Sequence, residues 1–173
     1  MVAQSPALQE LDLGRRLILA GTAGPDIPGT IPLTPEALKV ATKPANTSDD
    51  FLFLFFPATP EGRAAGAASL GRIAQRQAPT DPPVAQPSWV AQLTAAGAFI
   101  TGREIAYTQL ARLYQPTLVA NGDSDIMLPS IDSELLAEQL PNAEPALYPD
   151  AGHGFLFQRH AVFGRRVLDF LRR

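Results

Sequence analysis

Three short apolar runs, each closed by a turn, alternate along the chain with longer stretches whose apolar residues recur at helical spacing. The first run lies in Arg15-Arg16-Leu17-Ile18-Leu19-Ala20-Gly21-Thr22, the second is Pro116-Thr117-Leu118-Val119-Ala120-Asn121-Gly122, and the third is Ala146-Leu147-Tyr148. Their length and abrupt ends predict buried parallel strands rather than helices. Between and around them, residues 1–10 are helix-compatible, with Pro6 tolerable only early in the helix. Arg103 to Leu113 is predicted as an amphipathic helix with Ile105, Leu110 and Leu113 inward. Helices are also predicted at Ser133 to Leu140 and Ala161 to Leu171. Strand and helix in alternation imply an α/β fold, a short parallel sheet of about three strands flanked by helices.

The middle of the chain breaks this rhythm. The chain holds 17 prolines in 173 residues, about twice the usual ~5%. They cluster between Pro25 and Pro35, at Pro57 and Pro60, and between Pro79 and Pro87. Thr34-Pro35-Glu36 and Thr59-Pro60-Glu61 each read as an N-cap followed by proline at the first helical position. Alanine-rich stretches follow, from Arg63 to Arg76 and from Trp89 to Ala96. Residues 25–102 are therefore expected to form a helical, proline-rich insertion within a single domain spanning 1–173.

Composition narrows the function classes. A net charge of −3 gives little field to attract nucleic acid or an anionic membrane. Cysteine is absent, which excludes disulfides and thiolate metal sites, and the two histidines lack paired-ligand spacing. No metal or other cofactor is expected. The N-terminal residues lack a basic and then apolar leader, and the longest apolar run, Phe51 to Phe56, is too short to span a bilayer. A cytoplasmic location is the resulting expectation.

Candidate chemistry sits at two strand ends, where open parallel sheets gather functional groups. Asn121-Gly122-Asp123-Ser124-Asp125 follows the second strand, and Pro149-Asp150-Ala151-Gly152-His153-Gly154 the third. Adjacent parallel strands lie about 4.8 Å apart, so loops from one sheet edge can bring a carboxylate to an imidazole. Alone, Gly-Asp-Ser-Asp is a common turn and a histidine between glycines a common loop residue. Together, at strand ends, they favour an Asp–His pair. Phe51 to Phe56 could line an apolar substrate pocket, although ordinary core is the more frequent use of such aromatics; Trp89 shares that ambiguity. The arginines at 165, 166, 172 and 173 suit the C-terminal end of a helix without invoking nucleic acid.

The stretch from Pro116 to Pro129 resembles the acid loop of α/β-hydrolases. Leu140-Pro141-Asn142-Ala143 with Tyr148 to Gly154 resembles their histidine loop. The resemblance implies that Asp125 is a triad acid, with Asp123 the weaker candidate, and His153 the general base. It further implies that residues 25–102 are a lid and that substrates are small esters or related acyl compounds. The family's nucleophile elbow, Gly-x-Ser-x-Gly, occurs nowhere in the chain. Met1-Val2-Ala3-Gln4 resembles the residues that follow that elbow, so the serine is expected upstream, outside this sequence. Ser69 and Ser124 lack an elbow. The chain is then expected to be inactive alone. The strand at Leu17 to Ala20 is expected to expose an edge, covered by a homodimer partner or an N-terminal fragment. The alternative expectation is a non-catalytic module of the same fold.

Overall fold

The computed structural model describes residues 2–75 and 84–173. Its elements run α1 (Gln4–Gln9), β1 (Leu17–Ala20), α2 (Pro35–Ala41), α3 (Ser48–Phe55), α4 (Pro60–Ala74), α5 (Gln86–Ile100), a 3₁₀ turn (Tyr107–Arg112), β2 (Thr117–Gly122), α6 (Ser130–Gln139), β3 (Ala143–Tyr148), α7 (Phe155–Gln158) and α8 (His160–Arg172). The three strands form one parallel sheet in the order β1-β2-β3. Leu17 pairs with Thr117 and Ala20 with Ala120; Thr117 pairs with Ala143 and Gly122 with Tyr148. The fold class is the expected one, a short parallel sheet flanked by helices.

Side chains of a strand alternate between faces, so the central strand must satisfy two cores at once. Every residue of β2 is buried, which is why its sequence reads as a continuous apolar run. Leu17, Leu19 and Val119 pack on one face against Ala7, Leu8, Phe99, Leu110, Leu136 and neighbours. Ala120 faces the other way, with Tyr148, Ala151 and Phe155, and Phe163 of α8 covers them. Two helical layers thus enclose the sheet.

The predicted threonine caps behave as capping chemistry requires. Thr34 accepts from the Ala37 amide at 3.2 Å and Thr59 from the Gly62 amide at 3.1 Å. Thr47 adds a third cap, reciprocated by Asp50, which accepts from the Thr47 amide at 3.0 Å. Pro35 and Pro60 take first-turn positions, and Pro6 sits in the first turn of α1. The ends of the predicted stretches at Arg76, and the prolines at 79, 82 and 83, lie outside the described residues, as does Met1.

One expected helix is corrected. Arg103 to Leu113 holds only the 3₁₀ turn, because α5 stops immediately before it. Gly102 adopts φ +67°, and the Arg103 amide returns to the Ala98 carbonyl while the Gly102 amide returns to Phe99. This is a Schellman stop, and it reverses the chain where the apolar pattern alone ran on. Ile105, Leu110 and Leu113 are buried all the same. Other boundaries moved outward: α6 begins at Ser130 rather than Ser133, β3 at Ala143 rather than Ala146, and α5 runs well beyond Trp89 to Ala96 in both directions. Pro145 lies within β3, a position open to proline because β3 is an edge strand.

Candidate functional site

The sequence pattern that ends β2 also builds the first half of the site. Asn121 is fully buried; its side-chain amide donates to the Leu128 carbonyl at 2.8 Å and its Oδ1 accepts from the Gly122 amide at 2.9 Å. One side chain therefore ties both ends of the following loop. Gly122 lets the second loop close on the first: a methyl there would lie 2.1 Å from the Ala151 carbonyl oxygen. The loops are then stitched by backbone, with the Asp123 amide donating to Tyr148 at 3.1 Å and the Ser124 amide to Ala151 at 2.9 Å.

Within this frame Asp125 and His153 meet. His153 Nδ1 lies 2.8 Å from Asp125 Oδ2, with the carboxylate side chain fully buried and the imidazole 19% exposed. The other carboxylate oxygen, Oδ1, accepts from the amides of Met127 at 2.8 Å and Leu128 at 2.9 Å. Both oxygens are engaged, so the carboxylate has one orientation. An ionised acid accepts only, so Nδ1 carries the proton and the lone pair of the neutral ring falls on Nε2. Nε2 has no hydrogen-bond partner among the described residues.

The remaining sequence candidates separate from this pair. Asp123 turns to the exposed surface, where its carboxylate accepts from the Ser124 hydroxyl at 2.9 Å. Ser69 is buried in α4. His160 is exposed, with Nδ1 3.1 Å from the Phe157 carbonyl oxygen. Phe51 to Phe56 divides between core and cavity wall. Leu54 and Phe56 are buried, while Leu52, Phe53, Leu54 and Phe56 also line a cavity of about 450 Å³ together with Ser124, Ile126 and Gly152. That cavity borders the two loops that hold the pair. Trp89 is half-buried on α5.

Several contributors carry no chemical signature in the sequence. The ring of Phe55 meets His153 edge-on at 5.1 Å. Gly21, at φ +55°, passes close to the imidazole, where a methyl would lie 3.2 Å from Cε1. Gln4 is fully buried and donates to the Ala23 carbonyl at 3.0 Å, fixing α1 to the loop after β1. Only Asn121 advertised itself, as a polar residue ending an apolar strand. Among the described residues no group of three or more His, Cys, Asp or Glu is arranged to hold a metal ion, and no helix is long and apolar enough to cross a membrane.

No protein-family profile matches the chain. The poly(3-hydroxyalkanoate) depolymerase of Ectopseudomonas oleovorans is 40% identical over 62 residues, 36% of this chain and 22% of that protein. Among solved structures, an α/β-hydrolase fold protein from Chitinophaga pinensis is 28% identical with a TM-score of 0.79. The likeness covers 99% of this chain and 61% of that one. A meta-cleavage product hydrolase from Pseudomonas fluorescens is 20% identical, with a TM-score of 0.71 over 99% of this chain and 60% of that one. The chain thus spans about three-fifths of the structures it resembles and a smaller share of its curated relatives, which are hydrolases. Nearly the whole described sheet and its helices superpose on such structures, and the chain has the α/β-hydrolase fold over the part it shares with them.

Proposed function

We propose that this chain supplies the acid and the base of a serine hydrolase acting on small esters or related acyl compounds, with the serine contributed from outside these 173 residues. The observation that carries the reading is the 2.8 Å contact between His153 Nδ1 and a fully buried Asp125 whose second oxygen is held by two amides. In this mechanism Nε2 of His153 takes the proton from the serine hydroxyl as the oxygen attacks the acyl carbon. It then returns that proton to the leaving group, and water repeats the cycle on the acyl-enzyme. Asp125 stays ionised throughout, holding the ring in the Nδ1–H tautomer and stabilising the imidazolium. Residues 25–102 act as the lid, and the apolar cavity beside the loops receives the acyl group.

The same reading assigns the open edge of β1 to the preceding strands of a larger sheet, borne on an N-terminal fragment. A non-catalytic module is the second reading, favoured by the lack of Gly-x-Ser-x-Gly in the sequence. Two measurements separate them. In-frame codons for Gly-x-Ser-x-Gly just upstream of Met1 are expected. The polypeptide that includes them should bind a fluorophosphonate at that serine and hydrolyse 4-nitrophenyl acetate. Asp125→Asn in that polypeptide should slow turnover by about 10⁴, the loss seen when a triad acid is neutralised. Turnover untouched by this change, or by His153→Ala, defeats the proposal, as does labelling of the 173-residue chain itself.

A further inference from the structure

Helix α3 ends where the histidine loop begins its turn, and the contact is made by backbone and side chain of the same residue. The Phe55 carbonyl accepts from the Gly154 amide at 2.7 Å. A methyl on Gly152 would lie 2.7 Å from that oxygen and one on Gly154 2.9 Å. The glycines flanking His153 thus both give way to this one carbonyl. The Phe55 ring, meanwhile, lies edge-on to the imidazole at 5.1 Å and stacks on Phe51 at 4.5 Å with an interplanar angle of 21°. Phe51 belongs to the first turn of α3, the end locked by the reciprocal Thr47–Asp50 cap.

We propose that Phe55 is a positioning residue for His153, its carbonyl fixing the loop and its ring fixing the plane of the imidazole. Asp125 holds Nδ1, which leaves the ring free to tilt about that hydrogen bond. The Phe55 ring and the close approach of Gly21 both limit that tilt. Residues 25–102 therefore reach the base directly, so a displacement of α3 is transmitted to the ring that moves the proton. This inference rests on the reading of His153 as the base only for its catalytic meaning; the positioning itself is measurable without activity.

The test uses the 173-residue chain and ¹⁵N-resolved NMR of the His153 ring. Phe55→Leu removes the aromatic edge and keeps an apolar side chain of similar bulk. It should speed solvent exchange of the His153 Nδ1 proton by about two- to tenfold, the equivalent of one aromatic pair, without lowering Tm in proportion. Phe55→Tyr should restore the wild-type rate, a rescue that a bulk packing role would not single out. Exchange and ring chemical shifts unchanged in Phe55→Leu overturn the proposal. Should that variant fail to fold, Phe51→Leu loosens the Phe55 ring from behind; it should give a smaller acceleration in the same direction, and no acceleration overturns the proposal equally. Asp125→Asn, run alongside, separates the two ideas: a Nδ1 proton indifferent to that change sinks the catalytic pairing, whatever Phe55 does.

Discussion

The two strand-end loops and the helices between residues 35 and 100 are built on opposite principles. The loops depend on partners far away in sequence: Asp125 on His153, the Ser124 amide on Ala151, and the Asp123 amide on Tyr148. The helices depend on partners three residues away, the caps at Thr34, Thr47 and Thr59. The strand that carries the first loop also differs in burial from the outer faces of those helices. Leu118, Val119 and Ala120 are 0–1% exposed, whereas Ile73, Val90 and Leu93 are 40–59% exposed. A region fixed by non-local contacts has little room to adjust, and a region fixed by caps has a great deal. The Asp125–His153 pair sits on the first and is touched by the second through Phe55.

The sharpest way to break this contrast is to force the two loops apart. Gly122→Ala places a methyl 2.1 Å from the Ala151 carbonyl oxygen and 2.4 Å from that of Gly152, both backbone atoms without a rotamer to yield. The expected loss is about 3 kcal/mol, at the upper end of overpacking penalties, and Tm should fall by roughly 6–12 °C. Thermal denaturation measures it; a loss below about 1 kcal/mol would show that the loops separate easily and that the rigidity argued above is absent.

Asp125→Ala comes next. It leaves the part-buried amides of Met127 and Leu128 without an acceptor and releases the imidazole, for an expected cost of about 2–3 kcal/mol by urea denaturation. Asp125→Asn keeps a side-chain oxygen that can accept from the same amides, so it should cost clearly less. Equal losses in the two variants would mean that the amide contacts contribute little.

In the helical region the effects shrink. Thr47→Ala deletes one half of the reciprocal cap on α3, at an expected cost of about 1 kcal/mol. Hydrogen exchange should quicken in the first turn of α3 while the amides of β2 stay protected. Exchange rising equally in both regions would show that they unfold as one, and the comparison would lose its force.

The division also explains what could be read from the sequence. β2 was legible because burial on both faces writes a continuous apolar run, whereas β3, with one buried residue in six, was foreseen only from Ala146; the caps were legible because Thr-Pro-Glu states its own geometry within three residues. The pair at 125 and 153 was legible because strand ends of one parallel sheet lie side by side. The stop at Gly102 was missed because the apolar spacing of Ile105, Leu110 and Leu113 fits a helix as well as it fits a 3₁₀ turn. Phe55 was missed for a deeper reason. Nothing in Phe51 to Phe56 distinguishes the ring that faces His153 from its neighbours in the core and the cavity wall. That distinction depends on where a capped helix docks, which is a tertiary fact.

The smallest expected effect lies at a joint between the two regions. Asp132, in the first turn of α6, is 3% exposed and accepts from the Ile31 amide at 2.8 Å, so it ties the entry of the helical segment to the sheet. Burial raises its pKa above 3.8, the nearby Asp125 charge adds to the rise, and the Ile31 hydrogen bond opposes it. A carboxyl whose folded value is raised favours folding when protonated, and that contribution is lost as pH climbs through the folded value. At pH 7 the ionised side chain is therefore a net burden on the fold. Asp132→Asn keeps an acceptor for Ile31 and removes the charge, so it should raise Tm at pH 7 by a degree or two, on the order of 0.5 kcal/mol. The gain should fade as pH falls below the ordinary carboxylate range, where wild type and variant are both neutral at this position. A gain that persists undiminished into acid would point to packing rather than charge. A loss at pH 7 would mean that the ionised carboxylate strengthens the tie to Ile31 by more than its burial costs, making this joint part of the rigid region rather than the boundary of it.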